Sequence, residues 1–259
     1  SIDYSGGGCP SILLEPQRTN LVTYSTDLSN TVWNKGTTNT TFNQGISPDG
    51  LNNAVKIVRG GNNDIFANIY NNTNVSNHAR SIYAKTVSGT GFVNLLSHNS
   101  NANSLFLITN EWQRFEINTY NATAVFAIFA VDFRSAGTTL SEILVWQPQA
   151  EVGIYASSEI FTQGAIVTRN QDLISKTEIS DLIGQTEGVF LFETATLSIE
   201  SANRAYSISN GTTSNRLLVN YNVSSNQIQF IGTLNGVNYS TNITYTIPDE
   251  TQFAKIAVR

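Results

Sequence analysis

The 259-residue chain has one cysteine, Cys9, two histidines, His78 and His98, and no methionine. A single cysteine excludes a disulfide framework within the chain. So few nitrogen and sulfur donors exclude a zinc or iron site built from His and Cys, and any metal must be held by oxygen. Cys9 itself reads as a small residue packed beside the Gly6-Gly7-Gly8 turn rather than as a nucleophile. Charge is scarce as well: 13% of residues, 14 basic against 19 acidic, net −5, with no basic cluster. Nothing is present to neutralise a phosphate backbone, so neither nucleic-acid binding nor attraction to an anionic membrane is expected. No apolar run approaches the ~20 residues of a membrane-spanning helix. The most apolar stretch, Ala124 to Phe133, has strand length and contains Asp132, so membrane insertion is not expected. Residues 1–20 lack the charged-then-apolar pattern of a secretory leader, and the chain reads as an internal or processed piece.

What fills the gap is neutral amide and hydroxyl, with Asn alone at 31 positions. Short runs rich in Val, Ile, Phe, Tyr and Thr recur between Asn, Gly and Ser clusters, and helical periodicity is almost missing, which predicts an all-β protein. Eight strands are expected in the first part: 54–58, 64–70, 79–87, 92–97, 104–108, 113–118, 124–133 and 139–149. Eight is the number in a jelly-roll β-sandwich. Alternation in Arg80-Ser81-Ile82-Tyr83-Ala84-Lys85 puts Arg80, Ile82 and Ala84 on one face. The run Val125–Val131 is apolar on both faces and is expected beside Leu144 and Trp146. A composition shift at 157–187 reads as a linker, with one or two helical turns over Leu173–Gly184, capped by Ser175 or Thr177. From Gly188 the alternation resumes over 189–197, 205–209, 216–221, 227–234, 237–245 and 254–258, with Asn210-Gly211 and Asn235-Gly236 as tight hairpin turns.

The stretch Cys9-Pro10-Ser11-Ile12-Leu13-Leu14-Glu15-Pro16-Gln17-Arg18-Thr19-Asn20-Leu21, with Tyr24-Ser25, Asp27 and Trp33 following, resembles an opening met repeatedly in phage tail-fibre and virion adhesin proteins. Trp112-Gln113-Arg114-Phe115 resembles a later strand of that family. Val145-Trp146-Gln147-Pro148-Gln149-Ala150-Glu151-Val152-Gly153, with Tyr155-Ala156-Ser157-Ser158, resembles its closing segment, although small residues are usual at Gln147-Pro148. The resemblance implies a lead-in over 1–20, a jelly roll like carbohydrate-binding modules over 21–156, the linker over 157–187, and a second sandwich over 188–259. That second sandwich is of concanavalin-A or laminin-G type and incomplete: such a fold is expected to need about 150 residues. The family further implies a non-catalytic role in a virion tail appendage or an extracellular setting. Its partners would be host-surface polysaccharide or glycan and other virion tail proteins, in a homo-oligomer, with a trimer suspected. Two other readings stay open: a purely architectural virion protein without ligand, and a glycan-binding module of a secreted bacterial enzyme.

Glycan recognition uses aromatic faces against the C–H face of a sugar and planar amides or carboxylates against its hydroxyls. Trp33 has polar neighbours and is the tryptophan expected to be exposed for stacking, whereas Trp112 and Trp146 lie in apolar-patterned strands and are expected in the core. Tyr70 and Asn72 in one amide-rich stretch, and His98 and Asn101 in another, are the remaining ligand-binding candidates. Asp49 in Ser47-Pro48-Asp49-Gly50 and Asp64 are candidate oxygen ligands for a structural Ca²⁺ ion, without the spacing of a dedicated calcium loop. No catalytic residues are expected: Glu111, Glu116, Asp132, Glu142 and Glu151 read as scattered strand charges, with Glu111 and Asp132 the least implausible pair. No phosphate loop or nucleophile elbow occurs. Several Asn-x-Ser/Thr sequons, including those at Asn39, Asn71, Asn74, Asn121, Asn222, Asn238 and Asn242, follow from the Asn and Thr content and imply no glycan by themselves.

Overall fold

A computed structural model describes residues 2–3, 11–36, 38–60, 68–72, 78–97, 104–120, 128–134, 136–184, 186–195, 204–222, 227–239, 243–249 and 251–259. The chain divides into two units, Ser1–Ile174 and Ser175–Arg259. Among the described residues no helix is long and apolar enough to cross a membrane.

Unit 1 begins with β1 (Ile2–Asp3), β2 (Ser11–Ile12), β3 (Arg18–Asn20) and β4 (Asn39–Thr41). It continues with β5 (Val55–Val58), β6 (Asn68–Asn72), β7 (His78–Lys85), β8 (Gly91–Leu95), β9 (Leu105–Ile108), β10 (Gln113–Tyr120), β11 (Ile128–Asp132), β12 (Glu142–Val152) and β13 (Val167–Arg169). The eight strands β5 to β12 wind as a jelly roll. One sheet runs β5–β12–β7–β10 and the other β6–β11–β8–β9, all antiparallel. The first sheet is widened by β4 beside β5 and by β3 and β13 beside the end of β12.

Alternation decides what fills the space between the sheets. Ile82 and Ala84 of β7, Ile57 of β5 and Ile143 and Val145 of β12 meet Val93 and Leu95 of β8 and Phe129 and Val131 of β11 in one buried cluster. The residues between them, Ser81, Tyr83, Arg114, Trp146 and Gln149, therefore point to the other face of the first sheet. Two expectations are corrected by this arrangement. β11 lies between β6 and β8, not beside Leu144 and Trp146, because it belongs to the opposite sheet. Trp112 is only half-buried: its indole N–H donates to Ile46 O at 2.8 Å and Lys85 Nζ sits 5.4 Å above its ring.

The segment from 157 to 169, read from composition as linker, packs into unit 1. Ser157, Ile160 and Thr162 are buried, and β13 pairs with β3. Side chains do the stitching: Asn20 Nδ2 donates to Ile160 O at 2.8 Å, while Ser25 N donates to Thr162 Oγ1 and Thr162 N to Ser25 Oγ, both at 2.9 Å. Composition could not show this, because hydroxyl- and amide-rich sequence serves equally for a solvated linker and for a polar lock between strands. The lead-in likewise contributes β3 and a buried Glu15 to this unit.

Unit 2 holds β14 (Phe190–Thr194), β15 (Arg204–Ser209), β16 (Arg216–Asn222), β17 (Gln227–Leu234), β18 (Val237–Asn238), β19 (Ile243–Thr246) and β20 (Ala254–Val258). β14 pairs with β20, and β15–β16–β17 form a sheet that β18 and β19 both join along β17. Thr233 pairs with Asn238 across Asn235-Gly236, both at positive φ, which is the tight hairpin expected. The Asn210-Gly211 turn is longer than expected, since Ser209 pairs with Arg216 and Asn210 N donates to Asn215 O. Of the helical turns expected over 173–184, one 3-10 turn forms at Ser180–Leu182, and it has no side-chain cap.

Candidate functional site

Three places in unit 1 concentrate polar chemistry. The first is a concave groove of about 270 Å³ between the segment Thr26–Ser29 and Phe42, Asn43, Asn53 and Val55. Leu28 and Val55 are buried and form its floor, and half-buried Phe42 packs against the core cluster at its side. Asp27 holds Ser29 through its backbone N–H at 2.9 Å and its hydroxyl, fixing the rim. Asn43 is at φ 58°, a backbone setting that Asn tolerates and most residues avoid. The lining is thus one aromatic, one acid, two Asn and two hydroxyl residues, with Asn53 bonded to Ser47 and Asp49, Thr26 to Thr162 O and Ser29 to Asp27.

The second place is one end of the jelly roll. Asn72 ends β6 opposite Ile128, which begins β11; Tyr120 ends β10 opposite His78, which begins β7; and Leu95, the end of β8, pairs with Val131. The strand ends bounding 73–77, 98–103 and 121–127 therefore lie together. Beneath them Arg80 is fully buried, its guanidinium bridging both sheets. Nη1 donates to Leu96 O and Ile128 O, each at 2.5 Å, and Nε donates to His78 Nε2 at 2.7 Å. The guanidinium also lies 5.7 Å from the Phe129 ring centre.

The third is the outer face of the first sheet. Glu151 is fully buried there and accepts Ser157 N at 2.7 Å, Ser157 Oγ at 2.6 Å and Gln149 Nε2 at 2.8 Å, with Arg18 Nε 3.8 Å away. A Cβ on Gly153 would come within 3.0 Å of the Arg18 guanidinium, at a backbone φ of 150° that side chains rarely adopt, so this position requires glycine. Beside it the Tyr83 hydroxyl donates to Glu159 Oε1, and Arg114 Nη2 donates to Ser81 Oγ at 2.9 Å and Ser157 O at 2.6 Å. Burial, together with the bond to and charge of Glu159, pushes the Tyr83 phenol up to about 12, Arg114 opposing. Burial also raises the Glu116 carboxyl against the pull of Arg114, with Glu151 and Glu159 adding to the rise. Further along, Glu15 pairs with Arg169 and accepts Ser158 N at 2.7 Å. These bonds outweigh burial and hold its carboxyl below the ordinary value. Each charge on this face has a partner in the fold, so the face reads as a polar seam that fastens 153–169 to the sheet.

Of the sequence candidates, Trp33 is corrected: it is 2% exposed, its N–H donates to Tyr24 O at 2.8 Å, and it meets Phe129 edge-on. Its polar neighbours lie in turns around it, and the ring points inward. Tyr70 and Asn72 lie on β6 at the jelly-roll end just described, opposite Ala130 and Ile128; their side chains lie outside the described residues. His98, Asn101 and Asp64 also lie outside them. Asp49 closes its own turn, accepting Ser47 Oγ at 2.5 Å, Leu51 N at 2.8 Å and Asn53 Nδ2 at 2.9 Å. Burial raises its carboxyl and these bonds together outweigh it, leaving it below the ordinary range. One carboxylate with two neutral neighbours is not the acidic donor set of a calcium site, so the Ca²⁺ expectation goes no further for Asp49. Among the described residues no three His, Cys, Asp or Glu side chains are grouped to hold a metal. Asp132 is buried and clasped by Arg134 through Nε at 2.8 Å and Nη2 at 2.6 Å, whereas Glu111 is exposed before β10. The groove residues Phe42, Asn43 and Asn53 were not singled out by sequence. The signal that could have found them is an aromatic followed by an amide in a turn-rich stretch.

No protein-family model matches the chain, and no curated protein matches it.

Proposed function

We propose that the chain is a non-catalytic component of a phage tail fibre or virion appendage that binds host-surface glycan, with the groove of unit 1 as the ligand site. The observation that carries this reading is the groove itself. Thr26, Asp27, Ser29, Phe42, Asn43 and Asn53 line a space of about 270 Å³, the size of one or two sugar rings, and aromatic, acidic and amide side chains are the types that bind sugars. The low charge of the chain and its amide-rich surface suit a wet, hydrogen-bonded interface. The motif resemblance supports the virion setting and an oligomer, in which three weak sites gain by avidity. The architectural reading is favoured by a different observation. In unit 2, Leu191, Tyr239, Tyr245 and Phe253 are each more than half exposed, as expected of surfaces made to be covered by neighbouring chains.

The test is binding of the purified, folded oligomer to a glycan array and to host envelope, comparing wild type with Asn43→Gly, which keeps the left-handed backbone and deletes the amide. Saturable binding that falls at least tenfold in Asn43→Gly supports the groove. Undiminished binding in Asn43→Gly that is lost in Asn72→Ala or Asn101→Ala moves the site to the jelly-roll end and overturns the groove. No binding by the wild type overturns the adhesin in favour of the architectural protein.

A further inference from the structure

One wall of the groove, Thr26–Ser29, opens a stretch without strand or helix that is pinned to the core by Leu28 and again by Trp33. Between those pins three backbone carbonyls converge on one point, and the Lys35 ammonium stands there. It donates to Ser29 O at 3.1 Å, Asn30 O at 3.0 Å and Trp33 O at 3.1 Å. Three acceptors take all three N–H bonds of an ammonium, whereas a neutral amine has two, so this arrangement requires the charged form. Burial lowers the pKa of this ammonium from its ordinary value, and the charge of Asp27 opposes the fall. Lys35 is itself fixed, because Thr38 gives its N–H, at 2.9 Å, and its hydroxyl, at 2.6 Å, to the Lys35 carbonyl. The backbone bonds within the stretch do not account for the convergence. Asn30 N to Asp27 O is 3.4 Å and Trp33 N to Asn30 O is 3.2 Å, both at the long end of the range.

We propose that Lys35 is the positioning residue of the groove, a role that rests on the glycan reading, and that its ammonium is a tethered cation around which the carbonyls of 29–33 are gathered. Through it the Ser29 end of the wall is tied to Trp33, whose ring is buried against Phe129. Carbonyl oxygens aimed at one point repel one another unless a cation stands between them. Without the ammonium they turn apart, and the Ser29 end of the wall leaves its place opposite Phe42 and Asn53. Lys35 does not line the groove and touches no ligand there. It acts by holding Asp27 to Ser29 ready before a sugar arrives, so that binding does not have to order them.

Hydrogen exchange of the full chain without ligand tests the tethered cation in a peptide covering 26–33. Lys35→Ala should lower its protection about tenfold or more, since hydrogen bonds to a charged group are lost. Lys176→Ala, in the exposed connector, should leave it unchanged. n-Propylammonium at about 0.1 M supplies the atoms that Lys35→Ala removes and should restore protection by about threefold or more, whereas tetramethylammonium, a cation with no N–H, should not. Unchanged protection in Lys35→Ala, or a loss on which the two cations act alike, overturns the proposal. If Lys35→Ala does not fold, acylation of the wild type with an N-hydroxysuccinimide ester decides: Lys35 should react about tenfold or more slower than exposed Lys176, and a smaller difference overturns it. The positioning role is read on the glycan array. Where the wild type binds, Lys35→Ala should bind about tenfold or more weaker and recover with n-propylammonium, and binding as tight as wild type overturns that role. A wild type that binds no glycan overturns the adhesin reading and leaves the exchange result standing.

Discussion

Units 1 and 2 are written in the same alternating language, yet they differ in what lies between their sheets. Among the described residues the first unit's core cluster holds seventeen buried apolar side chains, while the second's holds four, Val219, Tyr221, Ile228 and Ile247. Around those four, Phe190, Phe192, Tyr206, Phe230 and Ile256 are only partly buried, and the polar bond described among them is Thr194 to Tyr206, at 2.7 Å. The first unit adds fully buried polar pins, Arg80, Glu151 and Asn20, where the buried polar residue described in the second is Thr194. Strand pattern sets which side chains point inward, and the number of layers that close over them sets how much they stabilise. The sharpest way to break this comparison is the same substitution in both places. Ile57→Ala in the tight core is expected to cost about 4 kcal/mol, and Ile228→Ala, where loosely packed neighbours can relax, about 2 kcal/mol. Urea unfolding of the two variants reads both, and equal costs would mean that the second core is as well filled as the first.

The next effect concerns the pins. Glu151→Ala strands the Ser157 N–H and removes the carboxylate 3.8 Å from Arg18, and is expected to cost about 3 kcal/mol. A loss below about 1 kcal/mol in the same unfolding assay would show the outer seam to be solvated rather than locked. Glu15 sharpens the point through pH. Its folded carboxyl lies below the ordinary value of 4.5, so the stability it contributes is present above that value and is lost as pH falls through the lower folded value. Acid unfolding of wild type against Glu15→Gln measures this. The variant should be less stable by about 2 kcal/mol near neutrality, with the gap closing as the medium becomes acidic. A gap that stays constant with pH would assign the loss to shape instead of charge.

The strands were legible because alternation and turn chemistry are local. Each of the eight jelly-roll strands overlaps a stretch the pattern picked out, with 64–67 and 124–127 outside the described residues, and Arg80 was rightly read as sharing a face with Ile82 and Ala84. What Arg80 does there was not legible, since its acceptors come from Leu96 and Ile128, 16 and 48 residues away. The same separation hid the seam. Glu151 looked like a scattered strand charge because Arg18 arrives on another strand and Ser157 on the segment taken for a linker, whereas Glu116 pairs with Arg114 two residues along its own strand. Trp33 failed for the opposite reason: its flanking residues are polar turns, and flanks do not report where a ring points when the chain is not alternating. The groove needed two distant turns to meet, which no window of sequence contains.

The smallest effect tests backbone rather than packing. Gln147 sits at φ 52° in the irregularity of β12 between Trp146 and Gln149. Its Nε2 donates to Ile160 O at 3.1 Å, while its buried Oε1 has no hydrogen-bond partner. Gln147→Gly loses that bond, about 1 kcal/mol, but relieves the left-handed strain and removes the orphaned oxygen, each of about the same size with opposite sign. Gln147→Ala loses the bond and keeps a Cβ in the left-handed region. In an ordinary strand alanine is the milder substitution, because glycine has more freedom to lose on folding. Here the order should invert, with the glycine variant within about 1 kcal/mol of wild type and the alanine variant less stable than the glycine one. Thermal unfolding of the pair decides it, and alanine proving the more stable would mean that the bulge relaxes out of its left-handed setting once the Gln147 side chain is gone.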